Sequence, residues 1–247
     1  IKLGDIYQLG EHRLLCGSAT DIESVQKLIG KEKIAAIICD PPYGVSYTES
    51  KANFGSVQVN KSILNDNITS EFDYTVFTKD WLSPAVKHLT RKNSIYIFNG
   101  DTMLFALREG MKQVGINFSQ LLIWVKNHVV VGRKDYLPMH ELIAYGWYGT
   151  HEFKRSKDKS VLFYPKPHSS PLHPTQKPVG LIRKIILNST KTGDILYDPF
   201  GGSGTTLIAS EQTQRKCLMV EFDLEYCQTI ITRFEKLSGK KVKKLTG

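Results

Sequence analysis

At 247 residues, 41% hydrophobic and 23% charged, the chain has an ordinary globular composition and is long enough to bury a sizeable core. No apolar run is long enough to span a bilayer, and the four cysteines (Cys16, Cys39, Cys217 and Cys227) show neither CxxC nor Cys/His spacing. A membrane protein, a disulfide scaffold and a zinc site are therefore not expected; a soluble, cytoplasmic protein with reduced, buried thiols is. The formal charge of +9 suits a polyanionic partner without requiring one.

The chain opens on Ile1 rather than methionine, which implies part of a longer or processed polypeptide. Gly4 to Gly17 holds two short alternating runs around Leu9-Gly10-Glu11, the signature of a hairpin. Ser18 to Asp21 offers capping residues for a helix with Ile22, Val25, Leu28 and Ile29 on one face, ended by Lys31 to Lys33. The apolar run Ala35 to Cys39 predicts a buried strand, stopped by Asp40 and two prolines that have no N–H for a ladder. An acid, a rigid turn and Tyr43 at the carboxyl end of such a strand make a candidate active site.

Residues 44–70 are rich in Gly, Ser, Asn and Thr with little period, which predicts a mobile loop able to close over a ligand or follow a phosphate backbone through Lys51 and Lys61. Phe72 to Leu89 predicts an amphipathic helix, Ser94 to Asn99 a strand, Thr102 to Gln113 a helix and Phe118 to Val125 a strand. That alternation argues for a doubly wound, mostly parallel sheet in a single domain over 1–247. The pattern breaks from Lys126 to Leu172, where basic residues such as Arg133, Lys134, Lys154 and Arg155 interleave with Tyr136, Trp147, Phe153 and Tyr164. Such interleaving suits phosphate neutralisation with base stacking, so residues 127–172 are the expected nucleic-acid contact segment, although Glu141 to Tyr145 has the pattern of a core strand.

Val179 to Ile186 continues as an apolar-faced helix behind His173-Pro174-Thr175-Gln176-Lys177-Pro178, with Pro178 expected at the first helical position. Asp194 to Tyr197 is a strand turned by Asp198-Pro199-Phe200-Gly201-Gly202-Ser203-Gly204-Thr205-Thr206 into a helix carrying Leu207 and Ile208. Glycines there allow close backbone approach to a ligand, and the helix start offers unpaired N–H groups. The turn lacks the lysine of a Walker loop, which argues against ATP hydrolysis. The strand Cys217 to Val220 ends at Glu221, 23 positions beyond Asp198, near the spacing at which an acid accepts from both ribose hydroxyls of an adenosine ligand. Lys240 to Lys244 is expected to be a solvated basic tail.

Four of these stretches resemble one family. Asp40-Pro41-Pro42-Tyr43 resembles motif IV of the amino-group DNA methyltransferases, His173 to Pro178 resembles motif X, and Asp198 to Thr206 followed by Glu221-Phe222-Asp223 resembles motifs I and II. Their order is that of the β-type enzymes, permuted relative to the cofactor-first arrangement, and the opening stretch resembles bacterial methylases often fused behind a ParB-like domain. The resemblance implies a Rossmann-like S-adenosylmethionine-dependent methyltransferase acting on DNA, encoded by a bacterium or phage, often dimeric, with no metal. Catalytic roles fall to Asp40, Pro41, Pro42 and Tyr43. The cofactor would be held by Asp198, Pro199, Phe200, Gly201, Gly202, Ser203, Gly204, Thr205, Glu221, Phe222, Thr175, Lys177 and Ser18. Ser18 stands where relatives usually carry an acid toward the cofactor adenine, and Asp21 is an alternative for that contact.

An exocyclic amino nitrogen is a poor nucleophile because its lone pair is delocalised into the ring. Asp40 and the Pro41 carbonyl, by accepting its two hydrogens, would free that pair and stabilise the charge developing on nitrogen, while Tyr43 would stack on a base extruded from the duplex. No Pro-Cys pair occurs, so the covalent route of cytosine C5 methylation has no candidate nucleophile in the usual motif. In this family a tetrad beginning with Asp favours adenine N6, leaving cytosine N4 and a catalytically silent DNA-binding module as alternatives.

Overall fold

The computed structural model of the chain describes residues 1–42, 70–129, 135–154, 158–165 and 176–246. The expected hairpin is formed by β1 (Ile6–Leu9) and β2 (His12–Cys16), turning at Gly10 with φ 59°, in the left-handed region that glycine enters without penalty. Helix α1 (Ile22–Ile29) follows, capped by Asp21, whose carboxylate accepts from the Glu23 and Ser24 amides and the Ser24 hydroxyl. Val25, Leu28 and Ile29 are buried, but Ile22, at the first helical position, is 53% exposed, so the expected apolar face begins at Val25.

Strand β3 (Ile34–Cys39) is buried throughout, as expected for a strand covered on both faces. Helix α2 (Glu71–Val86) stops before Leu89, which opens the long strand β4 (Leu89–Asn99) rather than closing the helix. Then come α3 (Leu104–Gln113), β5 (Ile116–Val125), β6 (His140–Tyr148), β7 (Val161–Phe163), α4 (Val179–Ser189), β8 (Ile195–Asp198), α5 (Thr205–Gln212), β9 (Lys216–Glu221) and α6 (Leu224–Ser238). Pro178 stands one place earlier than expected, as the N-cap of α4. The last strand is β10 (Lys243–Thr246): the lysines of the expected basic tail, Lys240 to Lys244, are solvent-exposed, but its end is ordered as a strand that pairs antiparallel with β1, and Lys244 bonds Asp5 at 2.8 Å.

The ten strands form one sheet in the order β10-β1-β2-β9-β8-β3-β4-β6-β5-β7. The run β2-β9-β8-β3-β4 is parallel, and β6 is the antiparallel strand set between β4 and β5. Strand alternation divides the core between two faces. Ile37, Cys39, Ile95 and Ile97 pack under α1, α2 and α3, whereas Ala36, Ile38, Tyr96 and Phe98 pack under α4 and Ala209 of α5. A third cluster joins α5 and α6 to β2 and β9 through Leu207, Ile230 and Phe234. All four cysteines are buried and free. From β3 the chain winds through α2 to β4, and from β8 through α5 to β9, in opposite directions across the sheet. The divergence between β3 and β8 is where open α/β sheets bind ligands, outside the carboxyl ends of the strands.

Candidate active site

Four adjacent strands each present one residue at that edge. Ser18 lies just past β2, Glu221 ends β9, Asp198 ends β8 and Asp40 follows β3. Register holds them together: Cys16 pairs with Glu221, Asp198 with Met219, and Ile37 with Tyr197. The Gly17 amide also donates to the Glu221 carbonyl at 2.9 Å, which ties the Ser18 loop to the end of β9. Ser18 itself bonds the Thr20 hydroxyl at 2.8 Å, and Asp21 is occupied in capping α1.

Asp40 continues the side-chain alternation of Ile38, toward α4, and there it meets Lys177. The ammonium donates to Asp40 Oδ2 and pairs with Glu141 at 3.1 Å; Glu141 in turn pairs with Lys126 at 2.7 Å. Asp40 Oδ1 is buried and has no hydrogen-bond partner among the described residues. The two ammonium groups lie over two packed rings, Lys177 at 5.2 Å from the Phe98 centroid and Lys126 at 5.4 Å from Trp124. Burial would push Glu141 up, but the two lysines pull its carboxyl down to about 2. Burial would also lower Lys177, and Asp40 and Glu141 outweigh it, so the ammonium is held protonated. At Asp40 burial raises the carboxyl, Lys177 opposes, and Glu141 reinforces the rise. Lys177, expected to help hold a cofactor carboxylate, is thus engaged by two acids, and Pro41 is buried beside Asp40.

On the other side of the divergence, Asp198 accepts the Phe200 amide at 3.0 Å and a bond from the Thr206 hydroxyl. Glu221 accepts the Gly202 amide at 2.6 Å and the Asp223 amide at 2.8 Å. Burial pushes Asp198 up to about 8 and Glu221 up to about 7, against those bonds. Gly204, with φ 82°, opens α5 with no side-chain cap, so the first amides of the helix face the edge unsatisfied by any side chain. The glycines are also fixed from behind: a Cβ at Gly201 would lie 2.7 Å from Met219 Sδ, and one at Gly204 3.0 Å from Ile230. Ser203 is buried and bonded by Arg233 of α6, and Pro199 and Thr205 are buried within the turn. The Phe200 ring packs on Trp81 at 5.3 Å and Phe77 at 5.9 Å, while Phe222 stays 41% exposed.

Tyr43 and Thr175 lie outside the described residues, as do residues 44–69 of the expected loop. Within the expected nucleic-acid segment, Trp147, Phe153 and Tyr164 pack against the core, whereas Tyr136 and Phe163 are largely exposed. Two site residues escaped the sequence reading. Glu141 is an acid at the head of the apolar run Glu141 to Tyr145, and Lys126 a base at the tail of Leu121 to Val125. A charge abutting a buried strand was the available signal. Among the described residues no cluster of three or more His, Cys, Asp and Glu is placed to hold a metal.

Two buried acids, a helix start with no side-chain cap behind a glycine turn, and a buried carboxylate oxygen with no partner among the described residues thus stand together at one sheet edge. The fold is shared with solved structures: the crystal structure of the M1.HpyAVI-SAM complex superposes with a TM-score of 0.65 at 23% identity, over 89% of this chain and 98% of that one. The PvuII DNA methyltransferase, cytosine-N4-specific, superposes with a TM-score of 0.68 at 17% identity, over 91% and 86%. The fold is that of the S-adenosylmethionine-dependent methyltransferases. Residues 34–232 match the DNA methylase model of the N6/N4 amino-methyltransferases, and the chain belongs to that family. The type II methyltransferase M.HpaI of Haemophilus parainfluenzae is 26% identical over 91% of this chain and 74% of its own length. M2.MboI of Moraxella bovis is 27% identical over 83% and 82%.

Proposed function

We propose that the chain methylates the exocyclic N6 of adenine in DNA, with Asp40 as the acceptor that activates the amino group. The observation that carries this reading is the bare Oδ1 of Asp40, a buried acceptor at the sheet edge beside the cofactor acids Asp198 and Glu221. Leaving such an oxygen unsatisfied costs free energy that a donor in the site recovers. S-adenosylmethionine, when bound, supplies an electrophilic methyl on its sulfonium. The protein's part is to hold the target nitrogen. Asp40 Oδ1 accepts one amino hydrogen and the Pro41 carbonyl the other, so the lone pair localises on nitrogen and the developing positive charge finds an anion already in place. Tyr43 supplies an aromatic face for the extruded base. Glu221 accepts from the ribose hydroxyls in place of the Gly202 and Asp223 amides, and the start of α5 faces the remainder of the cofactor. An aspartate at the head of the tetrad supports adenine over cytosine as target. Basic residues of 127–172, with exposed Tyr136 and Phe163, supply the duplex contacts.

Transfer of labelled methyl to unmethylated DNA, with the digested nucleosides resolved by mass spectrometry, tests the reading. N6-methyladenine is expected. N4-methylcytosine would retain the role of Asp40 and replace the target, and absence of any methylated base despite cofactor binding would overturn the proposal.

A further inference from the structure

The pair Lys126 and Glu141 is largely withdrawn from solvent at the active edge, with side chains 4% and 15% exposed, and taking two charges out of water needs a reason. Ion pairs of this kind are poor stabilisers, because desolvation offsets most of the attraction and apolar residues of similar size serve as well. Here the charges continue a line: Lys126, Glu141, Lys177 and Asp40 alternate in sign and sum to zero. They come from four separate places in the chain, Lys126 after β5, Glu141 at the start of β6, Lys177 ahead of α4 and Asp40 after β3. Antiparallel pairing of β5 with β6 sets Trp124 opposite Glu141, and the Lys126 amide bonds the Met139 carbonyl at 2.7 Å, so the first two are fixed by backbone. The two rings under the ammonium groups, Phe98 and Trp124, pack edge to face at 6.4 Å and fix where each cation rests.

We propose that Glu141 and Lys126 are positioning residues of the methyl-transfer reaction: they hold Lys177 against Oδ2 of Asp40 and keep Oδ1 free for the target amino group. The inference rests on the reading of Asp40 given above. Without Glu141, the flexible lysine stem loses its second carboxylate, and the ammonium is able to swing across both oxygens of Asp40 and occupy the acceptor. Without Lys126, Glu141 competes undivided for Lys177 and draws it off Asp40. The line thus divides the charge of Lys177 between two acids, leaving Asp40 paired but not consumed.

The charged groups facing Asp40 are Lys177, Glu141, Lys126 and, across the divergence, Asp198, with the buried Cys39 thiol next to it in the chain. Glu141 pushes the Asp40 carboxyl up and Lys126 pulls it down. The two neighbours therefore act on Asp40 in opposite senses.

The test is the single-turnover rate of methyl transfer against pH for Glu141→Gln and Lys126→Met. The acid limb, where Asp40 takes a proton and ceases to accept, moves to lower pH in Glu141→Gln and to higher pH in Lys126→Met. The plateau rate falls by about tenfold in each, the low end of what residues that orient a reacting group from behind carry, while cofactor affinity stays at the parent value. Shifts in the same direction, or two parental profiles, overturn the proposal. If the single variants fail to fold, the double variant carries the test, since it removes one charge of each sign. It is expected to bind cofactor normally and lose about tenfold in rate, and a parental rate overturns the proposal. Asp40→Asn separates the layers: a parental rate there removes the reading of Asp40 and this inference with it. An inactive Asp40→Asn beside unmoved Glu141→Gln and Lys126→Met profiles removes the inference alone.

Discussion

Asp40 and Lys177, 137 positions apart in the chain, share an ion pair that occupies Oδ2 and leaves Oδ1 without a partner among the described residues. One oxygen is thereby assigned to the protein and the other to whatever enters the site. Replacing the carboxylate by its neutral isostere removes the anion while keeping the shape. Asp40→Asn is therefore expected to lower turnover by about 10²-fold or more, with cofactor affinity within about twofold of the parent. Single-turnover transfer and calorimetry check the two halves, and parental turnover would remove Asp40 from the chemistry.

Lys177 is 7% exposed and faces two acids, so its loss leaves Asp40 and Glu141 uncompensated at close range. Lys177→Met is expected to cost about 3 kcal/mol of folding free energy, the lower end for breaking a buried pair from one side. Urea denaturation followed by fluorescence measures it. A loss below about 1 kcal/mol would place the pair among weak surface pairs.

The buried acids at the ends of β9 and β8 make stability depend on pH. Glu221 is pushed up to about 7 and Asp198 to about 8, from unfolded values near 4.5 and 3.8, by burial. Between those limits the folded state binds more protons than the unfolded one. Their contribution is thus fully present below about pH 4 and is lost as pH rises through 7 to 8. Glu221→Gln, which cannot ionise, is expected to flatten this fall by on the order of 3 kcal/mol in the ligand-free protein. Melting temperatures recorded from pH 5 to pH 8 report it. The same variant is expected to weaken cofactor binding, and a parental slope with parental affinity would displace Glu221 from the site.

Gly204 combines a φ of 82° with Ile230 3.0 Å from where a Cβ would stand. Gly204→Val is expected to destabilise by about 3 kcal/mol, from left-handed strain plus overpacking against α6, and to weaken cofactor binding as the start of α5 shifts. Denaturation together with cofactor titration reads both effects. A variant as stable as the parent would show that the turn relaxes freely.

Asp21 offers a sharper choice, since one carboxylate could cap α1 or reach a cofactor. The Glu23 and Ser24 amides already occupy it. Asp21→Ala is expected to cost about 1 kcal/mol and to leave cofactor affinity unchanged. Weakened binding beyond tenfold would assign Asp21 to the adenine side instead.

Much of the edge was legible because its signals are local. Asp40 stands against two prolines, Asp198 and Gly204 bracket a strand-to-helix turn, and Glu221 terminates an apolar run, so each declares itself within a few residues. Leu89 was misassigned to a helix because an apolar residue at helical spacing satisfies either element, and pairing with Ile34 decided it. The tail lysines are exposed, as their charge implies, but the strand they enter at Lys243 is not legible locally: a charged run carries no strand pattern, and the edge of β1 gives it one. Glu141 and Lys126 escaped because their meaning is relational. Neither is unusual in its own neighbourhood, and what marks them is a lysine that arrives from the loop ahead of α4.

The row Ser18, Glu221, Asp198 and Asp40 has a geometric corollary. Adjacent strands lie about 4.8 Å apart, so four neighbouring ends span roughly 14 Å, a length fixed by backbone hydrogen bonding and insensitive to side-chain choice. The sheet edge acts as a ruler, with graduations set by strand order in space. A chain that visits the marks in the sequence 18, 40, 198, 221 reads the same scale as one that visits them in any other. Loops and helices between the strands are therefore free to be rearranged in evolution, provided the four ends keep their places side by side.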